Sequence, residues 1–160
     1  MLDDCRTAQE RWGGVNELID RWLAERQELL VIFCGLSGVK SFQDNDPEYG
    51  PKLRKLCQLL VDYVSAGHFE VYDNLIQEGR QFDDTEGLKK AAEFYQIVDS
   101  TTESLLDFND KYVEIDDLGA LVSDLSHMGE MLANRFEAED KMIDILHNAH
   151  KNEVFEIENK

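Results

Sequence analysis

The chain has 160 residues, 16 Lys and Arg against 34 Asp and Glu, a formal net charge of −18 and 42% hydrophobic residues. Its length suits a single domain with a buried core, because domains of ~100 to 200 residues are the norm. Charge of this sign repels phosphate backbones and anionic lipid, which argues against direct nucleic-acid or membrane-surface binding and toward a basic partner.

The first predicted helix covers residues 3–37, where Cys5, Ala8, Trp12, Val15, Ile19, Trp22, Arg26, Leu29, Phe33 and Leu36 recur at alternating steps of three and four. That spacing is helical. Its longest uncharged apolar stretch, Leu29 to Val39, falls short of the ~20 residues that span a bilayer, and the opening MLDDC lacks the basic start of an export signal. A polar stretch from Gly38 to Pro51 holds both prolines. Asp46 can cap the second helix, 47–79, with Pro47 at its first position, or Gly50 can do so with Pro51.

The second helix carries Leu53, Leu56, Leu60 and Tyr63, then Phe69, Tyr72 and Ile76, and its stripe shifts near Ser65 to His68. Gly67 sits in that shift, and a glycine inside a helix points to close approach of another backbone. A polar run from Gly79 to Gly87 ends the second helix. The third, 86–113, is preceded by Asp84 or Thr85 and repeats more weakly through Leu88, Ala91, Tyr95, Val98, Thr102, Leu105, Asn109 and Tyr112.

Asp116-Asp117 mark the last break. The fourth helix, 117–151, carries Leu118, Leu121, Leu125, Met128, Leu132, Arg135, Glu139, Met142, Leu146 and Ala149, and residues 152–160 are left as a tail. No period-two strand pattern competes. Four long amphipathic helices joined by short loops predict one all-α domain over 1–160, an antiparallel up-down-up-down four-helix bundle. Cys5, Cys34 and Cys57 are odd in number and widely spaced, as expected of a reduced cytoplasmic protein and not of a disulfide framework.

Charged residues occupy core positions of these stripes. Arg26 does so in the first helix, Arg135 and Glu139 in the fourth, and Asp62 and Ser65 precede Phe69, Tyr72 and Ile76 at the same spacing. A buried, unpaired charge costs ~3 to 5 kcal/mol, so these groups are expected to pair or to reach water. The spacing predicts a polar network of Asp62, Arg26, Arg135 and Glu139. Three uses stay open for it: arginine heads snorkelling from the bundle ends, a network that sets helix register, and a partner or ligand site.

Metal chemistry finds little support. Asp124-x-x-His127 and Asp144-x-x-His147 lie on one helix, whereas di-iron bundles draw Glu-x-x-His pairs from separate helices. His147 and His150 share a face but read as a solvated helix end. No Gly-rich phosphate loop, His-Glu-x-x-His or nucleophile motif appears, so no enzyme, metal or cofactor is expected. The acidic charge is uneven: residues 62–116 carry −10 and residues 117–160 carry −6. Such a field either solvates outer helix faces or steers a basic partner.

Three segments carry a resemblance: Leu18-Ile-Asp-Arg-Trp-Leu23, Leu60-Val-Asp-Tyr-Val-Ser-Ala-Gly-His-Phe69-Glu-Val-Tyr72 and Ala133-Asn-Arg-Phe-Glu-Ala-Glu-Asp-Lys141. Together they resemble the Rsd/AlgQ family of bacterial anti-sigma regulators over nearly the whole chain. The opening Cys5-Arg-Thr-Ala-Gln-Glu-Arg-Trp-Gly-Gly14 looks closest to the AlgQ branch of pseudomonads. The resemblance implies a four-helix bundle that binds the C-terminal, promoter-reading domain of the primary sigma factor and limits its use by RNA polymerase, with alginate and siderophore genes downstream.

Position by position, it implies partner contacts at Asp62, Ser65 and Phe69 on the second helix and at Arg135, Phe136, Glu139 and Asp140 on the fourth. Asp20, Arg26 and His68 are assigned to a supporting polar network, and Trp22 to packing. The competing expectations are a bundle enzyme or small-ligand binder built on the internal Arg/Asp/Glu cluster, and a homo-oligomeric scaffold with Phe69 or Phe136 as the self-contact.

Overall fold

A computed structural model of the protein describes residues 2–114 and 117–158. Asp116 of the predicted last break, Asn159 and Lys160 of the tail, and the side chains of Cys5 and Ala8 lie outside the described residues. The elements are α1 (Leu2–Ser37), α2 (Tyr49–Ala66), a π-helical turn (Gly67–Val71), α3 (Tyr72–Gln81), α4 (Thr85–Tyr112), α5 (Leu121–Leu146), a short 3₁₀ turn (Asn148–His150) and α6 (Lys151–Glu158).

The chain is an all-α, up-down-up-down four-helix bundle, in which α2, the π turn and α3 together form the second rod. At 1.5 Å per residue the 36 residues of α1 span about 54 Å. The most extensive packing is between α4 and α5, followed by α1 with α2. Among the described residues, no helix is long and apolar enough to cross a membrane.

The predicted stripes form the core. Ile19, Trp22, Leu29 and Leu36 of α1 meet Leu53, Leu56, Leu60 and Tyr63 of α2, Ala91, Val98, Leu105 and Tyr112 of α4, and Leu121, Leu125, Met128, Leu132, Met142 and Leu146 of α5. Asp46 does act as a cap, its Oδ1 accepting from the N–H groups of Glu48 and Tyr49 at 2.9 Å each. Asp84, the N-cap of α4, accepts from Gly87 N–H at 2.9 Å.

The second rod departs from a plain helix where its stripe was seen to shift. The Tyr72 N–H donates to Gly67 O, an i to i+5 bond that inserts one extra residue into the turn. Ahead of the turn the inward positions are Leu56, Leu60, Tyr63 and Gly67; beyond it they are Tyr72, Leu75 and Gly79. The regular stripe Asp62, Ser65, Phe69, Tyr72, Ile76 is therefore not one face. Tyr72 is buried, but Asp62 is exposed and Phe69 is 74% exposed. Gly67 is tight because Trp22 and the Tyr72 hydroxyl lie 3.0 Å from where a Cβ would stand, so aromatic side chains, not a neighbouring backbone, require the glycine there.

The fourth rod also breaks. α5 stops at Leu146, Ala149 is exposed in place of its predicted core position, and residues 151–158 form α6, packed against α1, where a tail was expected from residue 152 onward. His147 and His150 are not a solvated helix end. They are 1% and 2% exposed. His147 Nδ1 lies 2.7 Å from Glu78 Oε2, and its ring stacks on Trp12 at 4.7 Å. His150 Nε2 lies 2.9 Å from Asp84 Oδ2, so the α4 cap also holds the turn that follows α5.

Candidate functional site

Three rods converge on one carboxylate. Glu139 of α5 is 1% exposed and sits between Tyr63 of α2 and Tyr72 at the head of α3, because the π turn rotates Tyr72 inward. The Tyr63 hydroxyl donates to Oε1 at 2.6 Å, and the Tyr72 hydroxyl donates to Oε2. Burial pushes the Glu139 carboxyl up, while Arg135, both phenols and Arg26 pull it back. Burial likewise raises both tyrosines, with Glu139 adding to the effect.

Arg135, one turn before Glu139 on α5, is also 1% exposed. Its Nη1 donates to Val98 O at 3.1 Å, Thr101 Oγ1 at 3.0 Å and Thr102 Oγ1 at 2.9 Å, and its Nη2 donates to the Tyr72 hydroxyl at 3.2 Å. Nε stands 3.4 Å from Glu139 Oε2, within ion-pair reach yet without hydrogen-bond geometry. The guanidinium thereby ties α4 to α5 and to α3.

Arg26 of α1 closes the centre from outside. Its Nε donates to the Tyr63 hydroxyl at 3.0 Å, its Nη2 reaches Glu139 Oε1 at 3.5 Å, and its Nη1 donates to Asp140 Oδ1 at 2.6 Å. The guanidinium also lies 4.6 Å from the centre of the Phe136 ring, which packs edge-on against Tyr63 at 5.6 Å. One arginine thus fixes both Phe136 and Asp140. Trp22 packs beneath it and donates from Nε1 to Tyr63 O at 3.0 Å.

The structure brings Arg26, Arg135 and Glu139 together and corrects the rest of the predicted network. Asp62 is outside it, because the inward position of that helical turn belongs to Tyr63. Asp62 instead belongs to an acidic surface: burial, then Asp62, Glu70 and Glu28, raise the Glu25 carboxyl. Asp20 is exposed and makes none of the network's bonds, and His68 is exposed with its ring edge-on to Phe69 at 4.8 Å. Neither supports the network. Arg135 and Glu139, expected at a partner contact, are each 1% exposed, and of the two only Arg135 reaches a groove.

Apart from Asp62, the candidates that reach the surface fall into two groups. Ser65, His68 and Phe69 line a groove of about 260 Å³ facing Asp99, Thr102 and Leu106 of α4, with Arg135 at its floor. Phe136, packed on Tyr63, and Asp140 are outside that groove's lining and are both held by Arg26. The spacing missed the hydroxyls of Tyr63, Tyr72 and Thr101 as the groups that satisfy the charges. Tyr63 and Thr102 on their stripes, close to the charged core positions, were the available signal.

A catalytic use of the internal cluster finds no room, since its charges are spent on one another and on the two phenols. Among the described residues, no group of three or more His, Cys, Asp or Glu is placed to hold a metal. Asp124 instead accepts from Lys111 Nζ at 2.7 Å and from the Tyr112 hydroxyl.

Comparison with known proteins shows the family. Residues 1–147 match the family described as regulator of RNA polymerase sigma(70) subunit, Rsd/AlgQ. Proteins named regulator of sigma D are similar over most of their length. That of Yersinia enterocolitica is 37% identical over 150 residues, covering 89% of this chain and 88% of the relative. That of Yersinia pseudotuberculosis is 36% identical over 148 residues, covering 89% and 87%. That of an Enterobacter species is 36% identical over 148 residues, covering 89% and 88%. These relatives are regulators by name, and being enterobacterial they do not place the chain in the AlgQ branch.

Proposed function

The chain belongs to the Rsd/AlgQ family, and on that premise we propose that it binds the C-terminal domain of the primary sigma factor and limits that factor's use by RNA polymerase. The observation that carries this is Phe69. An aromatic ring 74% exposed on a π turn, next to Glu70 in sequence and sharing its groove with Asp99, in a chain of net charge −18, suits a partner that is basic around an apolar recess. Carboxylates there would occupy the positions that DNA phosphates otherwise take on a promoter-reading domain. Phe69 supplies the apolar anchor and Asp62 the charge; Phe136 and Asp140, set by Arg26, offer a second pair. Arg135 and Glu139 act from inside by holding the rods that carry these residues.

Binding of the isolated sigma C-terminal domain, measured by calorimetry, tests this. Phe69→Ala should weaken the complex at least tenfold, as loss of an interface anchor does, while leaving stability within about 0.5 kcal/mol because the ring is exposed. Asp62→Ala should weaken it less, chiefly by slowing association. A sigma domain that does not bind at low salt, or that binds both variants as well as the parent, overturns the proposal. A finer role in alginate and siderophore expression rests on the likeness of Cys5 to Gly14 to the AlgQ branch. Transcript profiles of a deletion strain test it, unchanged alginate and siderophore genes counting against it.

A further inference from the structure

We propose that the cavity between the N-terminal part of α1 and α3 is a binding site for a small organic cation, a primary ammonium or guanidinium head on a short carbon chain. The cavity measures about 440 Å³, within the range of clefts that take small ligands. Its polar lining is Glu78 with the amide side chains Asn74, Gln77 and Gln81, its aromatic lining Trp12 and Phe82. Among the described residues, no Lys, Arg or His lines it.

The lining offers acceptors to a donor-rich guest. Asn74 Nδ2 already donates to Glu70 O at 2.6 Å and Gln77 Nε2 to Asp73 Oδ2 at 2.9 Å, which leaves their oxygens for a ligand. Glu78 is 5% exposed, and its two oxygens lie 2.7 and 3.0 Å from His147 Nδ1. One shared imidazole proton uses only part of a carboxylate's roughly four acceptor positions. The remainder belong to a buried anion beside open space, where attraction to a cation is far less screened than at the surface.

The carboxylate is also held in place. His147 stacks on Trp12 with the ring planes 9° apart, its carbonyl accepts from Trp12 Nε1 at 3.3 Å, and its Nε2 lies 3.3 Å from Asn16 Oδ1. A tie that merely joined α3 to the end of α5 would need no cavity on the carboxylate's free side. Orientation of a binding group by supporting residues is what a preformed site requires. Along α5, His147 is about 12 Å from Glu139 at 1.5 Å per residue, so this site stands apart from the Arg26 centre and does not depend on the sigma-binding proposal.

The test titrates the full chain, at about physiological salt to suppress loose counterion attraction, with agmatine and putrescine as free cations and with N-acetyl-arginine and N-acetyl-lysine methylamides as mimics of protein side chains. At least one probe is expected to raise the melting temperature and to change tryptophan fluorescence saturably, the change being lost in Trp12→Phe. Glu78→Gln should weaken binding at least tenfold. Because that substitution also touches His147, Gln77→Lys serves as a second variant, placing a cation at the exposed rim and abolishing binding without disturbing the floor. Selective binding of agmatine or putrescine identifies a free ligand, and selective binding of the capped residues identifies a side chain of another protein. Absence of saturable binding by all four probes, or binding unchanged in both Glu78→Gln and Gln77→Lys, overturns the proposal.

Discussion

At the scale of single residues, Glu139 and Arg135 resolve the question that the sequence left open about charges on core stripes. Both are 1% exposed, and each satisfies the other's charge with help from hydroxyls that spacing did not single out. Removing one partner from such a pair leaves an uncompensated buried charge, whereas replacing both is much cheaper. Arg135→Met should therefore cost about 3 to 5 kcal/mol, because Glu139 loses a nearby cation and Thr101, Thr102 and Val98 O lose their donor. Adding Glu139→Gln to that variant should recover part of the loss. Urea denaturation of the two single variants and the double variant checks this, and strictly additive costs would show that the groups do not act as a pair. Recognition of the pair needed only its helical spacing. Its partners Tyr63 and Tyr72 stayed hidden because a tyrosine on an apolar stripe looks like any other core residue until a carboxylate is placed against its hydroxyl.

At the scale of elements, much of the architecture was legible and the exceptions have two causes. Long runs of three-and-four spacing in α1 and α5 placed Trp22, Leu29, Leu125 and Leu132 correctly, since a helix with one apolar stripe has one way to face a core. The second rod misled at Asp62 and Phe69, where a single inserted residue at Gly67–Val71 changes which positions face inward. The stripe's visible shift located that turn without revealing its geometry. The end of α5 misled at His147 and His150, because burial of a histidine depends on a carboxylate brought from another element. Asp84 illustrates the dependence: it caps α4 through the Gly87 N–H and also meets His150. Asp84→Ala should cost about 1 to 2 kcal/mol, the usual loss for an N-cap aspartate, and should loosen the turn leading into α6. The Gly87 hydrogen bond, aided by His150 against the opposing effect of burial, holds the Asp84 carboxyl below its ordinary value of 3.8. A carboxylate whose folded pKa is lowered contributes stability that is present above its unfolded value and lost as pH falls through the folded one. The stability difference between parent and Asp84→Ala, followed by urea denaturation, should thus be constant near neutrality and shrink below about pH 4. A difference independent of pH would remove the charge from the account and leave only a neutral cap.

At the scale of the whole molecule, a net charge of −18 acts on folding and on association with opposite sign. Within the folded chain it is self-repulsion, which destabilises a compact state. Toward a basic partner it is attraction, which speeds encounter and is weakened by salt. Both act over several ångströms of water and are screened over a Debye length of ~10 Å at 0.1 M ionic strength, falling to ~3 Å at 1 M. The buried pair of Arg135 and Glu139 is shielded from those ions, so its contribution changes little across the same range. Raising sodium chloride from about 20 mM to about 500 mM should therefore raise the melting temperature of the protein alone, by about 2 to 4 °C if screening relieves ~1 kcal/mol in a chain of this size. The same series should lower its affinity for the sigma C-terminal domain. Phe69→Ala should shift the binding curve down without altering its salt slope, since the ring carries no charge, whereas Asp62→Ala should make the slope shallower. Parallel thermal scans and binding titrations over one salt series separate these effects. A melting temperature that rises beside an affinity that stays flat would mean that the acidic surface serves solubility alone and that recognition is apolar.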